Sequence, residues 1–393
     1  MEEPMSRLTH DLIAEILSRV PYKSLCICKC VCPAWRGIIA DPANRKKMAQ
    51  TLAGFFYRIT ADNADPRGFA VNYADLSATV AETYQLLPPP PDSTDCFVSL
   101  EGSCDGLFLT SIHTGASVGT PRYMVSNPAT GEYIVLPHSG YIGYCSSVYL
   151  GFDSGVSIEE FHLFEFMLEP CQSRLPRGLN IYSSKTGVWV SMQSQWDSEL
   201  NLCWGQPGVF HKGCLHLLIH QSGLAIVDAQ GLRWRIIPLP ISVDPNFGGF
   251  IGKSAGQLFY IDSDGAEGHG SDTFSSISVY VLGAEIYQRD VTHLDDKCMH
   301  WKLLRKLSNV APNKMFQLGF DLEVVGVHPH ANTIFFIAHW NNELIAYDLV
   351  HQESTVVYHV EPNYQKFRHF FSYVPLFSRL PLDGGIRLAT PIL

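Results

Sequence analysis

Charge is scarce in this 393-residue chain, with only 17% of residues charged, and positive charge is the scarcer sign, 28 Lys and Arg against 38 Asp and Glu. Its division is uneven. Residues 1–47 hold eight basic and five acidic side chains, so the remaining stretch carries a net charge of about −13. A balance of that sign excludes general affinity for nucleic acid or anionic membrane, both of which need a basic surface. No uninterrupted apolar run approaches the length of a membrane span, and the opening MEEPMSR lacks the basic start and apolar core of a signal peptide. No Asn-x-Ser/Thr acceptor occurs, and eleven cysteines cannot all pair. An intracellular protein, in cytoplasm or nucleus, with mostly free thiols is the expectation.

What is present divides into two kinds of pattern. From Leu8 to Asp41 the chain reads LTHDLIAEILSRVPYKSLCICKCVCPAWRGIIAD. Leu8, Leu12, Ile13, Ile16, Leu17 and Val20 recur at helical steps and share one broad stripe, apart from His10, Asp11, Glu15 and Arg19. Pro21 ends that helix, because it lacks an amide donor and clashes with the preceding turn. Leu25, Val31, Trp35, Ile38 and Ile39 supply apolar groups to two further helical pieces. Fewer than fifty residues in three short helices cannot bury all of this surface alone, so the helices dock either on the rest of the chain or on a partner.

From Gly54 onward, short runs rich in Phe, Tyr, Val, Ile and Leu alternate with Gly, Pro, Asn, Asp and Ser clusters, which predicts many short strands joined by turns. The Pro88 to Pro91 run reads as a stiff connector. A two-part repeat runs through this region. One half is a glycine turn followed by an apolar strand, at Asp105-Gly106-Leu107, Lys212-Gly213-Cys214 and Ala255-Gly256-Gln257. The other half is strand, polar turn and aromatic strand, at Asn127 to Tyr133, Tyr182 to Trp189 and Val227 to Trp234, with a weaker copy from Tyr347 to Val357. Tyr133, Trp189, Trp234 and Trp301 lie 56, 45 and 67 residues apart. That period suits four-stranded propeller blades with added loops. A blade cannot cover both faces alone, so the blades must stack and the ring must close. Six blades are expected rather than seven, with Phe367 to Phe377 pairing with Gly54 to Ile59 at the closure.

Leu8, Asp11-Leu12, Glu15 to Leu17, Arg19 to Pro21, Lys23 to Leu25, Val31-Cys32, Trp35-Arg36 and Asp41-Pro42 resemble the F-box in order and spacing. The long region, with NPATGEYIVLP, LGFD, YSSKTGVW and WRIIPLP, resembles the F-box-associated, Kelch-like domain of plant F-box proteins. The resemblance implies a small all-α F-box of three helices over residues 1–47 and an all-β propeller over 48–393. It implies that Leu8, Leu12, Ile16, Pro21, Leu25, Val31, Cys32 and Trp35 bind the adaptor subunit of an SCF-type cullin-RING ubiquitin ligase, or shape the unit that does, while the propeller holds a target protein. Two positions depart from the family pattern. Thr9 replaces a usual proline yet can still cap the helix, and Cys26, Ile27 and Cys28 replace a larger leucine, arginine and phenylalanine run.

Motifs for chemistry fall short one by one. Cys26, Cys28, Cys30 and Cys32 alternate on a helix, where only 26/30 and 28/32 share a face, and no second pair at zinc-finger spacing follows. Gly252 to Gly256 fits G-x-S-x-G, but a strand from Gln257 follows instead of a helix. Gly248 to Ser254 is one residue short of a phosphate loop. Asp262, Asp264, Glu267 and Asp272 put glycine at the wrong place for a calcium loop. His216 and His220 lie too far apart on a strand for one metal, and His328 and His330 flank a turn proline. No cofactor and no catalytic residues are expected. A propeller module for protein or glycan that recruits no ligase is the alternative function, and a propeller enzyme working in its central channel is a third.

Overall fold

The computed structural model describes residues 8–20, 22–41, 52–60, 69–76, 96–114, 121–141, 146–154, 157–168, 176–193, 201–203, 206–220, 223–240, 249–263, 277–283, 301–307, 321–362, 370–376 and 388–389, with isolated positions at 44, 310–311, 316, 318, 364 and 380. Three helices come first, α1 (His10–Ser18), α2 (Tyr22–Val31) and α3 (Pro33–Ala40), and every later named element is a strand. Pro21, Asp264, Glu267, Asp272 and Pro88 to Pro91 lie outside the described residues.

The strands form six antiparallel sheets arranged as the six blades of a propeller. Blade 2 contains β3 (Cys96–Cys104), β4 (Leu107–Thr114), β5 (Arg122–Asn127) and β6 (Glu132–Val135). Blade 3 contains β7 (Ser146–Asp153), β8 (Ser157–Leu168), β9 (Pro176–Ser183) and β10 (Val188–Gln193). Blade 4 runs through β11 (Val209–His211), β12 (Cys214–Ile219), β13 (Gly223–Asp228) and β14 (Trp234–Pro238). Blade 5 runs through β15 (Phe250–Ser254), β16 (Gln257–Ser263), β17 (Ile277–Leu282) and β18 (Trp301–Leu307). Blade 6 has β19 (Leu322–Val327), β20 (Thr333–Ala338), β21 (Glu343–Asp348) and β22 (Glu353–His359).

Blade 1 joins both ends of the propeller. Its order is β2 (Phe69–Asp75), β1 (Gly54–Thr60), β23 (Phe370–Tyr373), with Gly54 opposite Tyr373 and Tyr57 opposite Phe370. This is the expected closure; Val374 to Leu376 lie beyond the strand, and residues 367–369 and 377 of the expected span lie outside the described residues. The first strands of the other blades and β23 neighbour one another around the axis in the order β23, β3, β7, β11, β15, β19 and back to β23. Closure packs blade 1 on both sides: Phe55 lies edge-on against Phe335 of blade 6, and Phe56 against Phe108 of blade 2.

Both halves of the sequence repeat occupy one structural position each. The glycine turns join the first and second strands of blades 2, 4 and 5. In each, two successive residues have positive φ, Asp105 and Gly106, Lys212 and Gly213, Ala255 and Gly256, as a tight hairpin turn matched to strand twist requires. The polar turns join third and fourth strands. There Asn127, Asp228 and Asp348 accept from turn amides at 3.1, 2.8 and 2.6 Å, and Ser183 does the same at 3.4 Å. The spaced aromatics Tyr133, Trp189, Trp234 and Trp301 all stand on fourth strands. Trp189 Nε1 donates to Pro137 O of the preceding blade at 2.8 Å, and Trp301 Nε1 to Pro238 O at 3.1 Å. An indole there stitches outer rims together while its ring covers the blade.

Candidate functional site

Two places gather functional chemistry, the N-terminal helices and one end of the propeller channel. In the helices, Thr9 caps α1, its Oγ1 accepting from Leu12 N at 3.4 Å. Asp11 in the first turn favours the helix dipole, and Glu15 pairs with Arg19 one turn on at 2.6 Å. Cys32 caps α3 through its sulfur, which accepts from Trp35 N at 3.4 Å, and Pro33 begins the helix where no amide partner is needed. Arg36 Nε donates to Lys29 O at 3.2 Å and ties α3 to α2.

The single apolar stripe read on α1 divides in space. Ile13, Ala14 and Leu17 join Leu25, Ile38 and Ile39 in a buried core, with Leu8, Val20, Cys28 and Trp35 partly covered around it. Leu12 and Ile16 lie on the other edge, each 51% exposed, and Val31 on α2 is 60% exposed. Of the eight residues carried by the F-box resemblance, Leu12, Ile16 and Val31 are therefore open, Leu25 is core, Leu8 and Trp35 brace the core, and Cys32 caps a helix. Pro21 is not described. Ile27, a position where the sequence departs from the family pattern, adds another apolar side chain at 68% exposure. Of the alternating cysteines, Cys28 and Cys32 are half-buried and Cys30 is exposed.

At the channel, Lys253 near the end of β15 reaches across the axis. Its Nζ lies 3.4 Å from Asp105 Oδ2 of blade 2 and 3.1 Å from Asp153 Oδ1 of blade 3. Burial works against this ammonium, but the two carboxylates outweigh it and hold its pKa above the ordinary lysine value. Asp105 Oδ2 also accepts from Ser154 N at 3.0 Å and Ser154 Oγ at 3.1 Å, and Asp153 Oδ2 from Lys212 N at 3.4 Å. Ser254 Oγ donates to His328 O at 2.6 Å, and Ala255 N to Pro329 O at the same distance, which ties blade 5 to blade 6. Burial, then the charge of Lys253, pushes His211 down to about 4, while burial and Asp105 push the Cys104 thiol up to about 12. Cys104 Sγ donates to Phe152 O at 3.0 Å, so no thiolate is poised there.

The G-x-S-x-G match thus falls on a hairpin, and its serine serves the backbone of the next blade. Asp262 is buried and accepts from Tyr260 Oη. His216 is buried and donates through Nδ1 to Val209 O at 3.1 Å, and His328 Nδ1 accepts two turn amides at 2.8 and 3.1 Å. No cluster of three metal-ligating side chains occurs among the described residues. Sequence reading did not find the Lys253 cluster; its only mark was the glycine turns beside Asp105 and Lys253.

Residues 5–47 match the F-box domain. The chain is 29% identical to the F-box/kelch-repeat protein At3g17530 of Arabidopsis thaliana over 199 residues, 47% of this chain and 48% of that one. It is 24% identical to the F-box protein At5g07610 of the same plant over 281 residues, 64% and 63% of the two chains. It thus spans about half the length of the first of these relatives. A chain from the nidogen/laminin complex aligns over 83% of this chain and 99% of its own, at 10% identity and a TM-score of 0.43, too far to carry any argument. Residues 73–373, most of the chain, match the β-propeller of F-box protein At3g26010-like proteins, and the chain belongs to that family.

Proposed function

We propose that this protein is the substrate-recognition subunit of an SCF-type cullin-RING ubiquitin ligase, non-catalytic in itself, whose helices bind the adaptor, and cullin through it, and whose propeller holds a target protein inside the cell. The observation that carries this reading is the surface of the helices. Ile13, Ala14, Leu17, Leu25, Ile38 and Ile39 are buried in their core, yet Leu12, Ile16, Ile27 and Val31 stay open on α1 and α2. Four large apolar side chains on so small a unit stand for a partner surface. Leu8, Leu25, Cys32 and Trp35 contribute by holding the helices in place, and residues 1–47 and 48–393 act as the two working parts.

The contribution to transfer is geometric. Holding a target beside a charged ubiquitin carrier raises its effective concentration without any nucleophile from this chain. Ser254, His328 and Asp262, the side chains nearest to catalytic patterns, are already committed to the fold by the bonds described above.

The test is adaptor capture by the full chain and by a Leu12→Asp, Ile16→Asp double variant. The reading expects capture by the parent and its loss in the variant, with the propeller's melting transition unchanged. Equal capture by both would place the adaptor on another surface. A folded parent that captures nothing would favour a propeller module that recruits no ligase.

A further inference from the structure

The helices do not sit clear of the propeller. Ala129, in the turn between β5 and β6 of blade 2, packs against the core of the helical unit beside Leu8, Val20 and Trp35. That turn is held by Asn127. Asn127 is fully buried; its carbonyl accepts from Thr130 N and Gly131 N at 3.2 and 2.9 Å, and its side chain accepts from Ala129 N at 3.1 Å. Two further partners come from much later in the chain. Asn127 Nδ2 donates to Leu376 O at 2.9 Å, and Glu132 Oε2 accepts from Leu380 N at 2.8 Å. Leu376 and Leu380 are buried in the core shared by blades 2 and 3, and β24 (Leu388–Ala389) pairs with Tyr133 and Glu132 as a fifth strand of blade 2.

Blade 2 is the only one of the six sheets to which a distant segment adds an outer strand, among the described residues, and it is the blade that touches the helices. Two units joined by a short connector move independently unless a contact fixes them. We propose that Leu376, Leu380 and β24 form a brace: they hold the β5–β6 turn rigid as the seat of the N-terminal helices and so fix the orientation of the helices on the propeller. The inference stands on the fold alone and does not depend on adaptor binding.

The test uses the full chain with a fluorophore pair placed through unnatural amino acids at Arg19 and Lys185, both exposed, and reads the distribution of distances between them. The parent should give one narrow population. Ala129→Glu puts a charge into the apolar seat and should abolish that population while the propeller melts as before. Deletion of 381–393, which removes β24 without touching the turn, should broaden it, and so should Glu132→Ala, which removes the carboxylate that accepts from Leu380 N and from Thr130 Oγ1 of the turn. If Ala129→Glu leaves the population narrow, the turn is not the seat. If Ala129→Glu broadens it while Glu132→Ala and the deletion both leave it narrow, the seat needs no brace; either result overturns the proposal.

Discussion

Ala255 has a φ of +46°, in a region where a β-carbon crowds the following carbonyl, and it is exposed at the first central position of a two-residue hairpin turn whose second residue is Gly256. Asn-Gly is the sequence such a turn prefers. Ala255→Asn should therefore stabilise the protein by about 0.5–1 kcal/mol, read as a shift in urea midpoint at unchanged slope, since the side chain points to solvent and the Ala255 N bond to Pro329 O is kept. His216 and His211 set a pH limit. Burial pushes them down to about 3 and about 4, below the value near 6.5 of an unfolded chain, so both are neutral when folded and take up protons on unfolding. The stability they permit is complete above pH 6.5 and is lost as pH falls from there towards 4 and 3, each histidine contributing a slope approaching about 1.4 kcal/mol per pH unit inside its window. A His216→Asn variant should show a shallower loss between pH 6.5 and 4.5 by close to one proton, measured from denaturation midpoints across that range. An unchanged slope would mean that His216 is charged in the folded protein.

At the scale of an element, α1 separates packing from docking along one helix. Leu17→Ala removes a side chain that is 1% exposed and should cost about 2–4 kcal/mol of the helical unit's stability, whereas Leu12→Ala should change it by less than about 0.5 kcal/mol. The helical circular dichroism of the full chain on heating checks both. The helix, its cap at Thr9 and the break before Tyr22 were legible in the sequence, because periodicity and capping are local. The division of the stripe was not, because Leu12 and Ile13 are equally apolar and only the position of Ile38 and Ile39 decides which faces inward. The blades were legible for the same local reason. Positive φ favours glycine at Gly106, Gly213 and Gly256, and the third turn favours a short side-chain acceptor such as Asn127 or Asp228, so chemistry that recurs at fixed places in a hairpin recurs in the sequence.

For the whole molecule, closure was legible only in outline. That the last strand must meet the first follows from the need to remove edges, but nothing local shows that Lys253 meets Asp105 and Asp153, 148 and 100 positions away. Those contacts decide how the ring behaves as one body. Blades 2 and 5 stand opposite each other among six, so one ammonium links the two sides of the channel directly, and through Ser154 and Lys212 N it engages the inner ends of four blades. The pair is mostly buried, and removing one partner leaves the other charges desolvated. Lys253→Met should therefore cost about 1–3 kcal/mol, whereas Lys253→Met combined with Asp105→Asn and Asp153→Asn should recover part of that loss, since no carboxylate is then left uncompensated. Calorimetry distinguishes the two roles open to such a contact. If the ring unfolds as a unit, the single variant keeps one transition at a lower temperature. If Lys253 is what makes opposite blades cooperative, that transition splits in two, and the triple variant, which restores charge balance but not the bridge, stays split.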